Sequence, residues 1–139
     1  MKLDWKLIFL LSLVGVAMAF LSVFGMTGRL ESVYWLVIFV FYGIIIVKRT
    51  PGEYFLHAFL VSTLNGVWIG LIHASFFSIY MMNNPLMKAT SQHMPFHTHP
   101  RVVMVMMGPI IGAASGFLAG LIAFIAGKTM KKSPPVQAA

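Results

Sequence analysis

The sequence predicts an all-α integral membrane protein, a four-helix bundle whose N and C termini both lie in the cytoplasm. Of its 139 residues, 59% are hydrophobic and only 9% are charged, and the mean hydropathy is +0.87. A soluble domain carries about 25% charged residues, so this chain has too few charges to keep its surface in water. Four apolar segments approach or exceed the roughly 20 residues that cross a bilayer as a helix.

The apolar segments occupy residues 7–26, 30–47, 54–82 and 102–126, with an outer loop at 83–101 and a cytoplasmic tail at 127–139. We therefore expect a single membrane domain over residues 1–139. The first segment has some features of a signal peptide, but its apolar run of about 20 residues is too long for one, which favours a membrane helix. The third segment is about 43 Å long as a helix, so it should tilt or project beyond the outer surface.

The basic residues explain the orientation. Under the positive-inside rule, cytoplasmic loops carry an excess of lysine and arginine. In the four-span arrangement seven basic residues fall on one side and three on the other (Lys2, Lys6, Lys48, Arg49, Lys128, Lys131 and Lys132 against Arg29, Lys88 and Arg101). The net charge of +7 is thus accounted for by topology rather than by a nucleic-acid partner. We expect a multi-pass protein of the cytoplasmic membrane, with loop 83–101 on the periplasmic side.

Polar side chains share one face of the third segment. With Asn65 as origin, Ser62 lies at about 60° and His73 at about 80° around a helix, so all three should face the bundle interior. Trp68 lies near the membrane centre, where its indole N–H needs an acceptor. The two interpretations are hydrogen bonds that fix the helix register, or a site for a ligand, pigment or proton formed by Ser62, Asn65, Trp68 and His73.

Glycines recur every four residues in the last segment, at Gly108, Gly112, Gly116 and Gly120. This spacing gives a smooth stripe against which another helix backbone can pack closely. The stripe serves either packing within one chain or contact with a second copy or a larger complex. Pro109 lies inside the same segment and should kink the helix or restart it.

The outer loop contains "SQHMPFHTHPR", in which three histidines fall within seven positions. His93, Met94, His97 and His99 are candidate ligands for copper or zinc, because imidazole and thioether suit these metals when thiolates are lacking. The alternatives are a structural connector and pH sensing by the clustered imidazoles. Asn84-Pro85 has the form of a helix start, which predicts a short interfacial helix before Pro95.

The sequence shows no obvious catalytic site. The only carboxylates are Asp4, Glu31 and Glu53, and none lies in the middle of an apolar segment. His57 follows Glu53 by four residues, which predicts an exposed ion pair at a helix end. We therefore expect a protein that is not an enzyme.

The chain resembles a group of bacterial four-helix membrane proteins of similar size that lack a characterised function. The resemblance rests on the basic turn "VKRTPGEYFLHAFLVS", the methionine-bearing outer segment and the glycine-rich last span. It implies the membrane architecture and no activity or site.

Three functional hypotheses follow. The first is an accessory or scaffolding subunit that packs through the glycine stripe with itself or with a larger membrane complex. The second is binding of a small membrane molecule, such as a pigment, quinone or lipid, by the polar face of the third helix. The third is binding of copper or zinc on the periplasmic side. Beyond the lipid bilayer, the expected partner is a second copy or a larger complex. We expect the protein to have no cofactor; copper, zinc or a membrane pigment are the alternatives.

Overall fold

A computed structural model of the chain describes residues 2–93 and 99–130. These residues form six α-helices: α1 Trp5–Val23, α2 Glu31–Arg49, α3 Tyr54–Ser75, α4 Phe77–Asn83, α5 Pro85–His93 and α6 Pro100–Met130, with a 3₁₀ turn at Gly28–Leu30. By length and composition, α1, α2 with its leading turn, α3 and α6 are long and apolar enough to cross a membrane. The all-α class and the four long apolar helices are confirmed.

The third apolar segment is two helices rather than one. The chain leaves helical geometry at Phe76, with φ −101° and ψ 31°, and α4 begins at the next residue. Beyond the break, Asn83 Nδ2 donates to Val23 O at 3.0 Å and Asn84 Nδ2 donates to Ser22 O at 2.9 Å. The Asn83 amide thus pairs a carbonyl at the end of α1, and the Asn84 amide adds to the bond that Ser22 O accepts from the Gly25 N–H at 3.0 Å. The single helix expected over 54–82 is therefore interrupted, because α4 docks on α1.

The last helix is longer than expected, from Pro100 to Met130, and it continues through Pro109 without restarting. Its main partner is α3, and glycines of both helices line the contact. A Cβ built on Gly70 would lie 2.7 Å from Met104 O, and one built on Gly112 would lie 2.8 Å from Ser62 O. Only residues without a side chain allow this close backbone approach, which gains dispersion contacts.

The connection between α2 and α3 defines one end of the bundle, which we call the 50–53 end. Most of the apolar core lies toward this end, where α1, α2, α3 and α6 meet; it includes Ile8, Leu11, Tyr42, Ile46, Ala58, Val61, Ala119 and Ala123. The Tyr42 hydroxyl donates to Leu11 O at 3.1 Å inside this core. The opposite end carries α4 and α5, and there the long helices separate.

His57 differs from its expected role. It is fully buried rather than exposed. Its Nδ1 lies 2.7 Å from Glu53 O, and its Nε2 accepts a hydrogen bond from the Asp4 backbone N–H at 3.0 Å. The ring therefore joins the N-terminal end of α1 to the start of α3, and the expected pairing with the Glu53 carboxylate was wrong. Sequence spacing identified a neighbour on the same helix but not the chain segment that covers it.

Candidate functional site

A cavity of about 750 Å³ lies between α2, α3 and α6, on the side of the bundle away from the 50–53 end. Met87 and Ser91 of α5 contribute to its rim, together with Tyr80 and Met81 of α4. Most of its wall is apolar, and a few polar side chains come from α2 and α3. This size and composition are typical of sites for small organic ligands.

The cavity arises because α2 and α6 touch at one end and separate toward the other. A Cβ built on Gly43 would lie 3.3 Å from Ala123 Cα, so the two helices are in contact near the 50–53 end. Farther along, the cavity-lining residues Leu36 and Ile111 are 52% and 60% exposed. The cavity therefore opens sideways between α2 and α6, onto the apolar surface of the bundle.

Helix α3 forms the floor and brings together three of the four residues proposed from the sequence. Ser62, Asn65 and His73 all line the cavity and are buried. Trp68 does not line it. Its Nε1 donates to Ser12 Oγ at 3.1 Å, and its ring meets Phe9 edge-on. The indole N–H thus has an acceptor inside the bundle, on the α1 side.

The two deeper polar residues take part in helix packing. Ser62 Oγ lies 3.1 Å from Ser115 Oγ of α6, and Asn65 Nδ2 donates to the Tyr42 hydroxyl at 3.1 Å. The Asn65 Oδ1 atom has no partner among the described residues, but it lies against α1, since a Cβ built on Gly15 would be 2.6 Å away. Both side chains therefore tie α3 to its neighbours.

His73 has an uncommitted polar atom at the other end of the floor. Its ring stacks on the Tyr80 ring with centroids 4.0 Å apart and 17° between the planes. The imidazole also lies beside the backbone of Ala19 in α1. Its Nε2 is buried and has no partner in residues 2–93 and 99–130. A buried nitrogen without a partner costs free energy.

Polar groups gather around His73 at this end of the cavity. Glu31 lines the cavity, and its Oε2 accepts a hydrogen bond from Thr27 Oγ1 at 3.0 Å. Burial raises the pKa of Tyr80, and the Glu31 carboxylate adds to the increase, while a hydrogen bond with Ser22 opposes it. The phenol is therefore neutral at ordinary pH.

Sequence reasoning missed three of the lining residues: Glu31, Trp35 and Tyr80. From the sequence, Glu31 was noted only as one of the few carboxylates. The third apolar segment was expected to be one helix that tilts or projects beyond the outer surface, but the break at Phe76 returns Tyr80 to His73. The position of Glu31, at the start of an apolar helix, was the one available signal.

The glycine stripe of α6 is covered within the chain. Gly108 and Gly112 face α3 glycines, while Gly116 and Gly120 pack against Phe59 and Phe55. A second copy cannot use the same face unless α3 and α6 separate. Contact with another copy or a larger complex therefore requires a different surface.

The candidate metal ligands are only partly within the described residues. His93 ends α5 and His99 precedes α6, and both are exposed. Met94 and His97 lie outside the described residues. Across residues 2–93 and 99–130, no group of three or more His, Cys, Asp or Glu side chains could hold a metal ion. Metal binding by the whole loop stays a prediction.

Comparison with known proteins gives no relative from which a role can be carried over. No family model, curated protein or solved structure matches this chain. The function must therefore be inferred from the cavity and its chemistry.

Proposed function

We propose that this chain is a non-enzymatic integral membrane protein that binds a membrane-soluble small molecule in the cavity between α2, α3 and α6. The observation that carries the proposal is a mostly apolar cavity of about 750 Å³ whose lining includes the buried His73. An apolar chamber with a few convergent polar groups suits an amphiphile, whose polar part meets His73 and whose apolar part fills the chamber.

Access from the lipid phase supports this class of ligand. The mouth lies between two helices whose outward faces are apolar; Val37 and Phe41 of α2 and Ile110 and Phe117 of α6 are all exposed. In a bilayer these faces contact acyl chains. A ligand dissolved in the membrane can therefore reach the cavity laterally, without crossing water.

The proposed orientation puts both termini in the cytoplasm of a bacterial cell and the α4–α5 end on the periplasmic side of the inner membrane. Its support is the seven-to-three distribution of basic residues. In this orientation His73 and Glu31 lie in the outer half of the bilayer. The cavity then exchanges its ligand with the outer leaflet.

Cysteine labelling tests the orientation, because the chain contains no cysteine. Thr90 and Thr129 are exposed at opposite ends of the bundle. In intact cells, a membrane-impermeant maleimide should label Thr90→Cys at once and Thr129→Cys only after the membrane is disrupted. The reverse pattern, or equal labelling of the two variants, contradicts the orientation.

Two neighbouring isoleucines provide a matched test of binding. Ile111 is 60% exposed and lines the cavity mouth, whereas Ile110 is 58% exposed and does not line the cavity. We expect Ile111→Trp to narrow the mouth and to reduce several-fold the amount of small molecule that copurifies, measured by solvent extraction and mass spectrometry. Ile110→Trp should retain the wild-type amount. Equal amounts in both variants, or nothing above bulk lipid in the wild type, would overturn the proposal.

An accessory role in a larger complex stays a hypothesis for this chain. Because α3 covers the glycine stripe, such a role would use another apolar face. Chemical cross-linking in native membranes would test it independently of the cavity.

A further inference from the structure

The cavity is long, and its two ends differ in polarity. Its lining extends along α6 from Pro100 to Leu118, which is about 27 Å of helix at 1.5 Å per residue. Along α2 it extends from Glu31, the first residue of the helix, to Phe39, which belongs to the apolar core. Glu31 therefore lies at the α4–α5 end, and the lining becomes apolar toward the 50–53 end. This shape fits a long-chain amphiphile with its head group at the Glu31 end.

The charged residues at this end are divided between the cavity and the outer surface. Of the described lining residues, Glu31 is the one acidic residue, and none is lysine or arginine. The basic residues of the same end are exposed and do not line the cavity: Arg29, Lys88 and Arg101. Charges interact more strongly in a cavity of low dielectric constant than in water. A cationic head group is therefore attracted at this end, and an anionic one is repelled.

The Glu31 carboxylate is held in place and keeps one oxygen for a ligand. Its Oε2 accepts a hydrogen bond at 3.0 Å from Oγ1 of Thr27, which is buried. Its Oε1 has no hydrogen-bond or ion-pair partner in residues 2–93 and 99–130. Oε1 is also not among the fully buried atoms without a partner, so it has surface that a ligand can contact. Because the carboxylate is already anchored, binding loses little side-chain freedom there.

Aromatic side chains line the same part of the cavity. Trp35 follows Glu31 by one helical turn, and Phe39 follows Trp35 by another, so all three share the cavity face of α2. The Trp35 and Phe39 rings are neighbours, with centroids 5.8 Å apart. Tyr80 of α4 also contributes to the lining. Ammonium groups are attracted to the faces of aromatic rings, and to tryptophan most strongly. A carboxylate beside aromatic rings is therefore a suitable environment for an alkylammonium group.

We infer that the cavity selects an amphiphile with a cationic alkylammonium head group, which lies beside Glu31 and Trp35 while the apolar chain extends toward Phe39. This inference rests on the proposed function and specifies the ligand class for the same site. A fatty acid or a phosphate head group would bring a second negative charge to Glu31. A neutral head group gains no ionic attraction there.

The proposed orientation of the protein agrees with this ligand class. Glu31 lies in the outer half of the bilayer in that orientation, and the apolar part of the cavity lies nearer the bilayer centre. An amphiphile of the outer leaflet has its head group and chain arranged in the same direction. It can therefore enter between α2 and α6 without turning over.

Three probes with the same hexadecyl chain test the inference in nanodiscs of zwitterionic lipid: hexadecyltrimethylammonium, N,N-dimethylhexadecanamide and hexadecyl sulfate. Each displaces a hexadecanol that carries a nitroxide on its chain, and recovery of the quenched Trp35 fluorescence reports displacement. A Trp35→Phe variant identifies the share of the signal that comes from Trp35. We expect the ammonium probe to act at about a tenfold lower mole fraction than the amide, and the sulfate to be weakest. The net charge of +7 would favour the sulfate, so this order cannot arise from the overall charge.

Two glutamate variants locate the source of the preference. Glu31→Gln removes the charge but keeps an oxygen that can accept the Thr27 hydrogen bond. In this variant the ammonium and amide probes should compete equally, with the amide as effective as in wild type. Glu53→Gln removes the same charge at the 50–53 end, where Glu53 is exposed and does not line the cavity. It should keep the tenfold preference.

The outcomes separate the two levels of the proposal. If the amide or the sulfate competes as well as the ammonium probe, or if the preference survives Glu31→Gln, the inference fails and cavity binding stands. Equal loss of the preference in both glutamate variants also overturns it. If neither the labelled alcohol nor a trimethylammonium probe with the same label gives saturable quenching of Trp35, the proposed function fails as well. The comparison of probes on the wild-type chain remains decisive if Glu31→Gln does not fold.

Discussion

The His73 imidazole stacks on the Tyr80 ring at 4.0 Å between centroids, across the helix break at Phe76. The contact joins the end of α3 to α4 and closes one end of the cavity. It holds the only helix-borne histidine that lines the cavity among the described residues. The break at Phe76 thus has a structural consequence, because an uninterrupted helix would carry Tyr80 away from His73.

Truncation of Tyr80 should destabilise the fold at the α4 end. Tyr80 is 6% exposed, and loss of a buried aromatic ring costs about 3–5 kcal/mol. We expect Tyr80→Ala to lower the unfolding temperature in detergent, followed by circular dichroism, while Tyr80→Phe keeps the stack and stays within about 1 kcal/mol of wild type. Equal melting of the two variants would mean that the ring contact contributes little.

Alkaline pH should weaken the same contact. Burial raises the folded-state pKa of Tyr80 above the ordinary value of 10.0. Its contribution to stability is therefore fully present below pH 10 and is lost as the pH rises through the folded pKa. Wild type and Tyr80→Phe should show parallel stability up to pH 10 and diverge above it, with wild type falling faster. If the stability of the two proteins changes in parallel over the whole pH range, the Tyr80 phenol is not buried in its uncharged form.

Added bulk at the α3–α6 seam should force the helices apart. At Gly112 a Cβ would lie 2.8 Å from Ser62 O, while at Gly52 nothing lies within 4 Å. We expect Gly112→Val to destabilise the protein by at least about 1–3 kcal/mol, measured by unfolding in SDS titrations. Gly52→Ala serves as the control and should remain near wild type. If Gly112→Val leaves the free energy of unfolding unchanged, α3 and α6 must be less tightly packed than described.

Loss of the His57 ring should release the N-terminal segment. The ring connects Asp4 N–H with Glu53 O. Its replacement leaves the Asp4 N–H without this partner, at a cost of up to about 1 kcal/mol, while Glu53 O keeps the backbone N–H of residue 57. We expect His57→Phe to lower stability and to speed hydrogen exchange of the Asp4 amide. Unchanged exchange would show that another group covers this amide.

Removal of the loop histidines should leave the metal content unchanged. His93 and His99 are exposed, and the sequence around the loop offers no carboxylate to orient metal-bound rings. The variant with His93, His97 and His99 all replaced by alanine should contain the same copper and zinc as wild type, measured by elemental mass spectrometry. A loss of one equivalent would establish a metal site.

Particular elements show why part of the site was predictable. The 3.6-residue period of a helix put Ser62, Asn65 and His73 on one face before any neighbour was known, and all three line the cavity. Helix periodicity alone could not show which residues of that face pack against other helices and which keep an unpaired atom. Ser62 and Asn65 bond to neighbouring helices, whereas His73 keeps a free nitrogen. These differences depend on the partners supplied by α1, α2 and α6.

The sequence by itself determined the helical class, the four long apolar helices and the helix start at Pro85. These features follow from local composition and side-chain periodicity, which act through backbone hydrogen bonding and lipid solvation. Only the tertiary structure decided the break at Phe76, the burial of His57 and the separation of α2 from α6 beyond Gly43. Each of these depends on contacts between residues far apart in the chain, and such contacts are set by packing complementarity rather than by local sequence.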